Sequence, residues 1–173
     1  MVFPEDGILN DNTRKDAIQF GERLPDPKMM AICNSSNFSS THPILNRLSC
    51  IAKTNQMFVG ADMVDVQPCH NSSKVKCPSD NLYAFNTAVL FDREGHLLAK
   101  YHKIHLFGEM SKNLPPTEEL VVVDTEIGRL GLQVCFDMIF KTPGHKLASE
   151  HLIDTLVFPT WWFDESPFLS SKW

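Results

Sequence analysis

Three side chains in this 173-residue sequence stand at the ends of apolar stretches and are of types that together can move an acyl group. Glu5 follows Val2-Phe3-Pro4, Lys103 ends the run that starts at Leu97, and Cys135 ends Leu130 to Val134. Strand ends at one rim of a sheet are where α/β enzymes gather groups from distant parts of the chain. A thiolate is a nucleophile, and a nearby ammonium favours that ionised form. A carboxylate accepts the thiol proton and later hands it to a leaving amine. The ammonium, with the backbone N–H just after the nucleophile, holds the developing oxyanion. Each residue type also has an ordinary use: a small buried hydrophobe, a stem reaching water, a loop acid. Spacing alone does not choose between these readings.

Other chemistries find less support. His102 and His105 lie three residues apart on one strand and therefore face opposite sides, so no metal site is expected. A Cys–His protease needs a histidine paired to the thiol, and none of the seven histidines stands in such a context. No cofactor is called for.

The elements that must position these groups alternate between strand and helix patterns. Residues 57–64 read as a buried strand. The stretches 83–91 and 96–103 flank Asp92-Arg93-Glu94-Gly95 as a hairpin. A second hairpin joins 120–123 to 130–135 through a turn at 126–129, and a last strand is expected at 154–159. A helix is read after Ser40-Thr41, with Pro43 in its first turn, running to Asn55. Its Ile44, Leu45, Leu48, Ile51 and Ala52 form one stripe that must pack on a sheet. Weaker helices are expected at 13–24 and 143–151. This is the pattern of a mixed α/β domain with helices layered on sheets, occupying residues 1–173.

Composition bounds the partners. Sixteen basic against 21 acidic residues give a net charge of −5, with no basic block, so neither nucleic acid nor an anionic membrane is an expected partner. No run approaches the roughly 18 apolar residues of a spanning helix. The opening residues Met1 to Asp6 carry acidic charge and no basic stretch, and do not read as a signal peptide. Five cysteines are present: Cys33, Cys50, Cys69, Cys77 and Cys135. Cys69 and Cys77 bound a polar segment that looks like a loop closed by a local bridge, with no zinc spacing. Three Asn-X-Ser sequons, at Asn34, Asn37 and Asn71, are candidate glycosylation sites. Sequons beside paired cysteines point to a secreted or surface protein. Two disulfides would leave one thiol over.

In these same residues the sequence resembles the nitrilase superfamily, in its vanin and biotinidase branch. The resemblance rests on Phe3-Pro4-Glu5-Asp6-Gly7, on Lys100-Tyr101-His102-Lys103 followed by His105-Leu106-Phe107-Gly108-Glu109, and on Val134-Cys135-Phe136-Asp137. Pro25-Asp26-Pro27, Arg47 to Lys53, Phe91-Asp92 and Val157-Phe158-Pro159-Thr160 agree as well, so it runs nearly end to end.

The resemblance implies a nitrilase-like α-β-β-α sandwich with a Glu-Lys-Cys triad at one end of its sheets. Glu5 is then the general base and acid, Lys103 the oxyanion stabiliser, and Cys135 the nucleophile that forms a thioester. Glu109, Phe136 and Trp162 are possible site-lining residues. The other four cysteines, Cys33, Cys50, Cys69 and Cys77, match disulfide positions of the branch, Cys69 with Cys77 above all, which leaves Cys135 free. The implied substrate is a small-molecule linear amide, pantetheine first and a biotinyl amide such as biocytin as the alternative. The sandwich is expected to be incomplete: family elements ahead of Glu5 and beyond the last strand are not in these residues, nor is the region where a lipid anchor would attach. An open sandwich exposes apolar surface, so weak stability is expected. The rival reading from another class is an inactive, truncated binding protein that keeps the triad by descent.

Overall fold

The computed structural model describes residues 1–27, 31–33, 35–69 and 77–162. β1 (Val59–Pro68), β2 (Leu82–Phe91) and β3 (Leu97–His102) form an antiparallel sheet in the order β1-β2-β3. In a second sheet β4 (Val122–Thr125) pairs antiparallel with β5 (Gly128–Leu132), which pairs parallel with β6 (Thr155–Val157). The helices are α1 (Arg14–Phe20), α2 (Ser36–Thr41), α3 (Pro43–Asn55) and α4 (Lys146–Ser149).

Alternation along the strands divides the first sheet into two faces. Val59, Ala61 and Met63 of β1, with Val89 and Phe91 of β2, pack on Leu45, Leu48 and Ala52 of α3. Ala88 and Leu90 of β2 and Ala99 and Tyr101 of β3 face the other way, onto Leu130, Leu132 and Val157 of the second sheet. Leu147 of α4 is fully buried beside Gly131, on the outer face of that sheet. The layers therefore run helix, sheet, sheet, helix, the α-β-β-α order that the resemblance implies. Close approach matters at Gly60, where a Cβ would lie 2.7 Å from Val157 Cγ1 across the sheets.

The first hairpin and α3 lie where the sequence places them; the second hairpin forms with its strands shifted to Val122–Thr125 and Gly128–Leu132, and four further local readings change. Ser40 and Thr41 do not start α3. Their hydroxyls bond back to carbonyls of Ser36 and Asn37, inside the short α2 that the sequence reading missed. The free amides of α3 go instead to Glu22, whose carboxylate accepts from Ile44 N (2.6 Å) and Leu45 N (3.0 Å). The expected helix at 13–24 stops at Phe20 because Glu22 is drawn into an extended bridge with Asp65. The expected helix at 143–151 is ordinary α-helix only from Lys146 to Ser149, after a wide turn over Lys141–His145. β1 also runs four residues past Val64, with Asp62 and Asp65 inside it.

The turn between β2 and β3 docks on α3 through Ser49, whose hydroxyl donates to Gly95 O and accepts from Cys33 N. Gly95 has φ +81°, and a Cβ there would sit 2.6 Å from Ser49 O. Gly95→Ala should lower unfolding free energy by about 2–3 kcal/mol, the left-handed backbone and the clash together, as measured by chemical denaturation.

Candidate active site

Each of the three reactive residues is held by the backbone of a different element. The first residues run parallel to β1, with Phe3 N donating to Gly60 O (2.9 Å). A tight turn follows, closed by Gly7 N to Pro4 O, and Asp6 N donates to Asp62 Oδ2 (3.1 Å), which fixes Glu5 between them. Lys103 is the residue just past β3. Its N–H still donates to Asn86 O (2.9 Å), so its side chain stays in the row of Ala99 and Tyr101, facing the second sheet. Cys135 does not end a strand as expected. β5 stops at Leu132, and Cys135 opens a short 3-10 turn at φ +38°, a backbone state that costs a non-glycine residue about 1–2 kcal/mol.

Asp137, fully buried, holds that strained turn. Its carboxylate accepts from Val134 N (3.1 Å), Tyr101 Oη (2.9 Å), and both the backbone N and Nδ1 of His105 (3.0 Å each). Burial raises its pKa, and these bonds oppose the rise. Cys135 N donates to Pro159 O (3.0 Å), beyond β6.

The side chains converge on one cavity of about 330 Å³. Lys103 Nζ lies 2.6 Å from Glu5 Oε1 and 2.8 Å from Glu109 Oε1, with its side chain 1% exposed. Asn86 Nδ2 donates to the same two oxygens, at 2.9 and 2.7 Å. The Cys135 thiol donates to Trp161 O (3.3 Å) and lies in the same cavity as Glu5, close enough to feel its charge. Phe107, Phe136, Trp161 and Trp162 supply aromatic walls, with Phe107 and Phe136 rings 4.8 Å apart, and Asp6 adds a further carboxylate. An apolar cavity with a few convergent charged groups suits a small organic ligand.

Burial pushes the Glu5 carboxyl up, but the Lys103 ammonium and bonds from Cys135, Lys103 and Asn86 outweigh it and hold Glu5 below its ordinary range. Glu109 goes the other way: burial and the neighbouring Glu5 charge raise it more than Lys103 lowers it. Burial would lower Lys103, yet the two carboxylates keep it above its usual value. Burial first, and then the Glu5 carboxylate, push the Cys135 thiol up to about 12. At neutral pH the proton therefore rests on sulfur, in the same cavity as an ionised Glu5. The ammonium is already engaged by two carboxylates and does not by itself ionise the thiol.

Of the residues singled out from sequence, Glu5, Lys103, Cys135, Glu109, Phe136 and Trp162 all line this cavity. Disulfides join Cys33 to Cys50 and Cys69 to Cys77, and Cys135 is free and buried. Asn37 is exposed on α2, whereas Asn34 and Asn71 lie outside the described residues. His102 and His105 serve separate networks, His102 bonding Glu119 and Asp65 while His105 bonds Asp137. Among the described residues, Asp92, Glu94 and His96 come close enough to share a cation. Asp92 there already accepts from Glu94 N, His96 N and His96 Nδ1, the bonds that shape the β2–β3 turn. Sequence reasoning missed Asn86, Asp62 and Asp137. For Asn86 and Asp62 the available signal was a polar residue inside an apolar strand, on the face that should be dry; Asp137 lies in the turn after β5 and offered no such signal.

Glu5→Gln removes the negative charge that penalises the thiolate and leaves Lys103 nearby. The pH midpoint for alkylation of Cys135 by iodoacetamide should therefore fall below that of the wild-type protein.

Comparison with known proteins agrees with this architecture. Over 175 residues, 99% of this chain and 34% of the relative, the sequence is 43% identical to a pantetheinase of Mus musculus. It is 35% identical to the biotinidase of Homo sapiens over 99% of this chain and 32% of that protein. The chain thus spans about a third of the length of the curated relatives it matches. A crystal structure of a Saccharomyces cerevisiae member of branch 10 of the nitrilase superfamily superposes with a TM-score of 0.66. That match is at 21% identity and covers 94% of this chain and 50% of that one, and it supports the fold. The carbon-nitrogen hydrolase family model matches residues 1–168, and with sheets, helices and sequence in agreement the chain belongs to the carbon-nitrogen hydrolase family.

Proposed function

We propose that this chain carries an amidase site that cleaves a linear, non-peptide carbon–nitrogen bond through a cysteine thioester, with pantetheine as the favoured substrate. The observation that carries the reading is the shared cavity of Glu5, Lys103 and Cys135, with the Lys103 ammonium 2.6 Å from the Glu5 carboxylate. Sulfur attacks the amide carbon as Glu5 takes the thiol proton. The oxyanion forms against Lys103 and the Phe136 N–H, the latter at the start of the short turn, where amides lack partners within the turn. The carbon–nitrogen bond then breaks, Glu5 returns the proton to the departing nitrogen, and a free amine leaves. Water attacks the thioester with Glu5 again as base, and the carboxylic acid departs as Glu5 reprotonates sulfur.

A thiol held at about 12 beside a depressed carboxylate calls for proton transfer in step with attack, so that a free thiolate need not accumulate. Pantetheinase is favoured over biotinidase by the relatives, which are 38–43% identical for pantetheine hydrolases and 35–36% for biotinidases. Two disulfides and an exposed sequon at Asn37 support a secreted or surface location. No helix among the described residues is long and apolar enough to cross a membrane.

The test supplies the protein with a pantothenoyl and a biotinyl chromogenic amide and examines acid-quenched samples by mass spectrometry. A pantothenoyl adduct on Cys135 and faster release from the pantothenoyl amide are expected. Cys135→Ala should lose both adduct and turnover with an unchanged circular dichroism spectrum, and Lys103→Ala should slow acylation by about 10²-fold or more. Turnover that survives Cys135→Ala would refute the mechanism, and preference for the biotinyl amide would exchange the substrate.

A further inference from the structure

Position 86 lies inside β2, in the same row as Ala88 and Leu90, which pack between the two sheets. That row is dry, and Asn86 is 2% exposed. An uncharged polar side chain there costs free energy unless its hydrogen bonds are made. Register brings it beside Lys103: Thr87 pairs with His102, so Asn86 faces Lys103 directly, and Lys103 N donates to Asn86 O. Cross-strand neighbours on one face are the closest side-chain pairs a sheet provides.

The amide uses this position in one way. Nδ2 donates to Glu5 Oε1 at 2.9 Å and to Glu109 Oε1 at 2.7 Å, the two oxygens that Lys103 Nζ reaches at 2.6 and 2.8 Å. Two donors and two acceptors close a four-sided ring. The amide's orientation follows from it, because the reverse would point Oδ1 at two carboxylate oxygens. Lys103 alone is a compact charge on a flexible stem and sets no angle between its acceptors. A planar amide with two N–H directions does. Being neutral, it also draws the carboxylates together without adding a second positive charge that would further weaken Glu5 as a base.

We infer that Asn86 is a positioning residue that fixes the spacing and orientation of Glu5 and Glu109 around Lys103, so that Glu5 is presented to Cys135. The inference rests on the amidase reading for its catalytic consequence, but its structural claim is separable. Asn86 touches no reacting atom and acts through Glu5.

The experiment follows the Glu5 carboxyl carbon by NMR across pH in the full chain, identified by its loss in Glu5→Gln. Asn86→Ala removes a donor from an ionised carboxylate and should raise the Glu5 midpoint by about one pH unit or more. In turnover, kcat should fall by about 10- to 100-fold with KM changed by no more than about twofold, and the acid limb of kcat/KM should move up with the midpoint. Asn86→Asp keeps the volume but replaces the donor with an acceptor, and should move the midpoint further up. Asn86→Ser, smaller but polar, carries the test if the alanine variant does not fold. A Glu5 midpoint that stays in its wild-type position in a folded variant overturns the inference, whatever the activity. A shifted midpoint in a protein that turns over neither amide leaves the inference standing and removes the amidase reading instead.

Discussion

A buried ammonium between two carboxylates is the constraint on which the rest of the site depends. Each ion loses about several kcal/mol of hydration on leaving water, and a buried pair is sustained only where further hydrogen bonds satisfy what remains. Lys103, 1% exposed, is held by Glu5 and Glu109, and Asn86 donates a second bond to the same two oxygens, while Glu109 Oε2 and Asn86 Oδ1 stay without a partner among the described residues. Three formal charges therefore share one closed ring. The two acids are pushed in opposite directions, Glu5 down and Glu109 up, which is the separation that divides roles within a carboxylate pair.

Holding that ring closed explains much of the surrounding structure. Glu109 lies on the long connection between β3 and β4, which has no regular structure of its own to place it. Further along it, Asn113 pairs with β2 as a strand residue would: its N–H donates to Ala84 O, and its Oδ1 accepts from Ala84 N and Arg14. Arg14 in turn spans Asp80, Ser111 O and Leu82 O, and Lys112 makes a buried ion pair with Asp11. These contacts tie the connection to the sheet and to the segment that follows Glu5. On the opposite face, His102 bridges Asp65 and Glu119, and those carboxylates outweigh the effect of burial and raise its pKa. The residue next to Lys103 is thereby clamped from both sides.

What the sequence made legible was whatever depends on short-range periodicity. The stripe of α3 and the turn at 92–95 are local patterns, and that turn places Lys103 near a strand end by itself. Three features needed information from far along the chain. The acceptor for the first amides of α3 is Glu22, about 20 positions upstream, and it displaces the nearby Ser40 and Thr41 that local rules favour. The positive φ of Cys135 is stabilised by Asp137 and by residues reached through the fold, Tyr101 and His105. Asn86 reads in sequence as a mere interruption of an apolar strand, and only register reveals that it stands opposite Lys103.

Cys135 follows a strand of the second sheet whereas Lys103 and Asn86 belong to the first, so the width of the gap between layers governs how far the thiol stands from the charged ring. That gap is set by small residues: Gly60 against Val157, with Ala88 and Ala99 alongside. A methyl group added there, remote from Glu5, Lys103 and Cys135, would widen the gap and so register at the site as well as in the packing of the two sheets.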